Sequence, residues 1–300
     1  MHRTPLLSLA LLALAQPAFA NIDIAFNFDY DSTGFFASPD SVAALNAAAA
    51  VFETRFADSL TAIASSGSNS FDTIFFNPAD PFGADITLST QDIAADTLIV
   101  YVSAADLGGS LGLGGPGGFN CSGFGSFCSD AQQRGQGDVT GGDASDVAPW
   151  GGSISFDSET DWYFGTDTSG LNAGEFDFYS VAVHELAHVL GFGTSASFDR
   201  LASSTFTGTN AMAVHGSPVP LLSDESHWAR GTQGMVDGSL HEAAMDPDIA
   251  NGVRKDFTDL DYAALQDIGW QVTPVPEADT WAMLLAGLGL VGLAARRRMA

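Results

Sequence analysis

His184 and His188 stand four residues apart in VAVHELAHVLGF, and Glu185 directly follows the first of them. On a helix, positions i and i+4 project from one face about a turn apart. Two imidazole nitrogens so placed can reach a single zinc ion at about 2.0–2.1 Å. Glu185 then points to the side of the metal, where its carboxylate can take a proton from a bound water. Coordination lowers the pKa of such a water to near neutrality, which makes it a nucleophile at ordinary pH. In a chain of this composition H-E-x-x-H is expected by chance about 0.003 times. The plain alternative is two histidines packed on a buried helix, and each ring would then need its own hydrogen-bond partner. Two histidines do not complete a site, so a third ligand must come from His215, His227, His241 or an acidic side chain.

The helix that must hold these residues is FDFYSVAVHELAHVL, with Val183, Leu186, Ala187 and Leu190 on one face and Gly191 as its stop. Upstream, alternation from Ile22 to Phe28 predicts an opening strand. An amphipathic helix is expected next, from Ser38-Pro39-Asp40 along a stripe of Val42, Leu45, Ala49, Phe52, Phe56 and Leu60. FDTIFF, ADITLS, DTLIVYVSA and GGSISFD read as strands. Residues 108–152 change character, with clustered glycine and the acidic run GDVTGGDASD, and predict irregular surface. Those aspartates could bind calcium, although they lack the ligand spacing and closing glutamate of an EF-hand, and a solvated loop is the simpler reading. GGSLG at 108–112 fits a nucleophile elbow, but GLGGPGG cannot open the helix that motif needs, nor does it carry a phosphate loop's lysine. Near the end, FTDLDYAALQDIGW predicts a helix capped by a Thr258–Asp261 box and ended by Gly269.

H-E-x-x-H followed by Gly191 resembles the metzincin clan of zinc endopeptidases, whose glycine lets the chain turn beneath the metal. The usual third histidine falls where this chain has Thr194. The leishmanolysin-like branch instead inserts a long stretch before a His-Trp pair, and His227-Trp228 is similar to that pair. Met245, in Ala-Met-Asp-Pro, stands where that branch carries its methionine turn, and His241 four residues earlier is the main rival ligand. Ordinary core packing is the commoner fate of a methionine. The resemblance covers about residues 176–270. It implies an α+β, two-lobed zinc peptidase with a twisted mixed sheet, an active-site helix and a Met-turn, in lobes of about 21–190 and 191–273. Protein or peptide substrates would lie extended along the cleft, paired to a sheet edge for which SISF is the candidate. The rival from another class is a non-catalytic extracellular matrix or adhesion module with a structural zinc, which would favour four closed ligands over three and a water.

The ends carry addresses. His2 and Arg3, an apolar run from Leu6 to Ala15 and Ala18-Phe19-Ala20 have the layout of a signal peptide over residues 1–20. Pro276-Glu277, an uncharged stretch from Thr280 to Ala295 and Arg296–Arg298 resemble a PEP-CTERM sorting signal over 274–300. That resemblance implies processing by an exosortase, although Ala278 replaces the second proline. The stretch also reads as a transmembrane anchor with its basic flank inside, the one membrane contact expected. Between the ends, residues 21–275 hold 6 Lys and Arg against 34 Asp and Glu, a net charge of −28 that repels nucleic acid and anionic membranes. Cys121 and Cys128 are the only cysteines, and in an exported chain such a pair closes a small disulfide loop.

Overall fold

The computed structural model describes residues 22–273. The signal peptide and the sorting segment, with its expected membrane helix, lie outside the described residues. Among the described residues no helix is long and apolar enough to cross a membrane.

The chain opens with β1 (Asp23–Asn27), a 3-10 turn at Phe35–Ala37, and α1 (Pro39–Glu53). Then come β2 (Ser70–Phe75), β3 (Ile86–Leu88), β4 (Thr97–Ala105), β5 (Gly112–Pro116) and β6 (Gly118–Ser122). These are followed by α2 (Phe127–Gln133), β7 (Gly151–Asp157), β8 (Trp162–Tyr163), β9 (Phe176–Asp177) and α3 (Phe178–Val189). The remainder is α4 (Ala196–Asp199), β10 (Thr205–Phe206), α5 (Thr209–His215) and β11 (Val219–Pro220). It closes with the hairpin β12 (Gln233–Val236) and β13 (Ser239–Glu242), and α6 (Asp259–Asp267).

The architecture is α+β. The main sheet has the order β1-β4-β7-β5, with β1, β4 and β7 parallel and β5 antiparallel at the edge. Alternation divides its faces. Leu98, Val100, Val102, Ile154 and Phe156 join the same buried core as α1 and α3, while Tyr101 and Trp150 pack with Phe71 and Phe75 of the small sheet β3-β2-β6. The rings of Phe75 and Tyr101 stack at 4.1 Å. The main core also takes in Trp228, Met245 and Leu260, so one apolar cluster runs from the N-terminal strand to α6.

Three expectations are corrected. The first helix does not extend to Leu60: it ends at Glu53, and Phe56 and Leu60 are buried from irregular chain. The backbone there turns to pair with the C-terminal segment, Ala57 N–H donating to Gln271 O, and Phe56 stacks on Trp270 at 4.4 Å. The 108–152 region is not irregular throughout, since it contains β5, β6 and α2, the last two joined by the Cys121–Cys128 disulfide. Nor is SISF an edge, because β7 lies between β4 and β5 and is buried along its length. Glycine conceals β5 from any apolar alternation, yet it is what the strand needs. A Cβ at Gly112 would stand 2.5 Å from Glu185 Oε1, and one at Gly114 would stand 2.6 Å from the Glu185 carbonyl oxygen.

Candidate metal centre

The helix α3 is fixed at both ends. Asp177 caps it, accepting from Ser180 N at 3.2 Å and Ser180 Oγ at 2.6 Å. Arg254 grips the same carboxylate with Nε and Nη2, in an ion pair almost wholly out of water. At the other end Gly191 adopts φ +102°, and Phe192 N–H donates to Ala187 O while Gly191 N–H donates to His188 O. This six-to-one and five-to-two pairing is a Schellman stop, which glycine enters without steric cost.

Between these ends His184 and His188 project together and meet His227 from the turn after β11. Their Nε2 atoms lie 3.2 Å (184–188), 3.1 Å (188–227) and 3.2 Å (184–227) apart. Each Nδ1 faces an oxygen: Ala244 O at 2.8 Å, Phe192 O at 2.8 Å and Asp224 Oδ2 at 2.9 Å, in the order His184, His188, His227. An oxygen that only accepts requires the proton on Nδ1, so all three Nε2 lone pairs point into one space. Burial first, and then the neighbouring rings, hold His184 well below its ordinary pKa and push His188 down to about 4. Those two rings therefore stay neutral, as ligands must. Among the described residues this triad is the one convergent group of three or more His, Cys, Asp or Glu side chains. The acidic loop forms no comparable group; Asp146 spends its carboxylate on the N–H groups of Gly137 and Val147.

His241 and His215 are not brought to this point. His241 is exposed on β13 opposite Gly234, and His215 is exposed at the end of α5. Glu185 is buried beside the triad, and desolvation pushes its carboxyl up to about 8 against the opposing hydrogen bond from Gly114 N–H. Both residues line a cleft of about 870 Å³ that is bordered by Leu111–Gly114 on one side and Ala244–Ile249 on the other.

The second wall hangs on Asp261 and Lys255. Asp261 was recognised only for its capping box, which is present. Its buried carboxylate also accepts from Trp228 Nε1 (2.8 Å), Ala244 N (2.9 Å) and Met245 N (3.3 Å). Burial raises its pKa, and the hydrogen bonds from Thr258, Trp228 and Ala244 oppose the rise. Trp228 N–H in turn donates to Met245 O, and the Met245 side chain is fully buried. Lys255, almost entirely buried, reaches Glu242 Oε1 at 2.6 Å, Asp246 Oδ1 at 3.4 Å and the Asp248 carbonyl. Helix-capping preference marks Asp177, whereas no local signal marks Arg254 or Lys255.

Residues 127–217 match the family model described as Matrixin, and residues 274–298 match the PEP-CTERM protein-sorting motif. The first match contains the His184–His188 helix and ends before His227. No curated protein and no solved structure matches the chain. The sorting motif indicates an exported, surface-sorted protein. Together the two matches support a metzincin-type peptidase that carries a PEP-CTERM signal.

Proposed function

We propose that the protein is a zinc-dependent metalloendopeptidase in which His184, His188 and His227 hold the metal and Glu185 is the general base. The observation that carries this reading is the convergence of three Nε2 lone pairs at 3.1–3.2 Å beside a buried carboxylate in an open cleft. Two nitrogens at about 2.0–2.1 Å from a tetrahedral zinc stand roughly 3.3–3.4 Å apart, so the donor set fits the ion with little movement. Zinc, when bound, supplies Lewis acidity toward a carbonyl and acidifies its water. Glu185 accepts the proton that the attacking water gives up and passes it to the leaving amine. In the metal-free site burial raises its carboxyl to about 8, and the charge of a dication held beside it would draw that value back toward the ionised form a base requires.

The sheet edge that borders the cleft is β5, where Gly114 N–H already serves Glu185 and the outward backbone groups of Gly112 have no strand partner, and an extended peptide would lie along it. The backbone hydrogen bond from Trp228, next to His227, to Met245 O and the full burial of Met245 support a Met-turn role for that residue. An exosortase-type enzyme would act on the sorting segment. A structural zinc in an adhesion module would call for a fourth protein ligand and has no use for Glu185. Glu185→Ala separates the two readings. Zinc content should stay at one ion per chain while cleavage of an unfolded protein substrate drops about 10²–10⁴-fold. A variant that cleaves as well as wild type refutes the general-base role.

A further inference from the structure

The three rings are not held alike. His184 and His188 give their Nδ1 protons to main-chain carbonyls, whereas His227 gives its proton to a side chain, Asp224. Asp224 is itself fixed. Its Oδ1 accepts from Ser226 N at 2.9 Å, while Oδ2 takes His227 Nδ1 at 2.9 Å. Ser226 Oγ donates to Gly193 O at 3.0 Å, tying the turn to the end of the helix that bears the other two rings. Leu222 N–H closes the turn on His227 O.

We propose that Asp224 is a positioning residue that presents His227 to the metal. Resting on the zinc reading above, the inference adds a residue outside the ligand set. His184 and His188 inherit their aim from α3, but a ring on a turn is free to rotate and to carry its proton on either nitrogen. Only the Nδ1–H form leaves Nε2 a lone pair, and the carboxylate selects that form. Its charge would also offset part of the charge of a dication held by three neutral ligands.

The test uses the purified protein with zinc and a competing chelator. Asp224→Ala should weaken zinc binding by about 10–100-fold. Asp224→Asn, which keeps an oxygen acceptor but loses the charge, should fall between Asp224→Ala and wild type. Asp85→Ala, a remote charge removal, should leave affinity unchanged. In the zinc-free protein, ¹⁵N NMR of labelled histidine should find His227 as the Nδ1–H tautomer and show it shifting toward Nε2–H in Asp224→Ala. A merely structural contact would not produce that shift. Wild-type affinity in Asp224→Ala, or an unchanged tautomer, overturns the inference. If wild type takes up no zinc, the peptidase reading fails, and the tautomer measurement still decides whether Asp224 orients His227.

Discussion

The two halves of the centre are built by different means. His184, Glu185 and His188 ride on one helix whose spacing alone aims them, and its ends are set by an N-cap and a Schellman turn. His227 arrives 39 residues beyond His188, on a turn whose position depends on Asp224, Trp228 and Asp261. The helical half is local and repeats a spacing found in every α-helix. The turn half combines local turn contacts with long-range ones such as Trp228 to Asp261 and Ser226 to Gly193, and it holds one ring within 3.2 Å of the others. A ligand of the second kind can sit at almost any distance along the chain, provided a network delivers it.

The contrast breaks most sharply at the ligand itself. Removing one of the three proposed protein ligands would forfeit about a third of a zinc-binding free energy on the order of 10–16 kcal/mol. About a third of that free energy corresponds to roughly a few hundred- to several thousandfold in affinity, which His227→Ala should lose while His241→Ala changes it little. The reverse ranking, read by chelator competition, would move the ligand role to the hairpin. Next in size is the hub of the turn half. Asp261→Ala strands the buried donors of Trp228, Ala244, Met245 and Thr258, and each orphaned donor costs about 1–3 kcal/mol before relaxation. A net loss of roughly 3–5 kcal/mol in denaturant unfolding is expected, with zinc affinity reduced as well. Retained stability would mean that Asp261 only caps its own helix. The smallest effect tests the helical half. Gly114→Ala drives a methyl group into the Glu185 backbone, which cannot swing aside, and should cost about 1–3 kcal/mol together with cleavage activity. Gly115→Ala meets nothing within 4 Å and serves as the comparison. Equal behaviour of the two would remove the case for close packing of β5 on α3.

The same division explains what was readable in the amino-acid sequence. The H-E-x-x-H helix, its glycine stop, the Thr258–Asp261 box and the cysteine pair are features of short range, and each has a chemical signature within a few residues. His227 was reachable only through a resemblance to a spaced His-Trp pair, since nothing local separates it from His241. Strand β5 escaped because its glycines, required by contact with Glu185, erase the alternation that marks a strand. The mistaken edge assignment for β7 follows directly, for without β5 the next strand becomes the edge. Arg254 lies 77 residues from the Asp177 it pairs with. Lys255 gathers acceptors from three places in the second wall. Such partners are fixed by the finished fold and leave no periodic trace.

A crystal structure of the protein grown with zinc tests the account most directly. The prediction is one ion bound by Nε2 of His184, His188 and His227 at about 2.0–2.1 Å, with a fourth position open to the cleft beside Glu185. A metal bound by His241 instead of His227, or closed off by a fourth protein ligand, would contradict it.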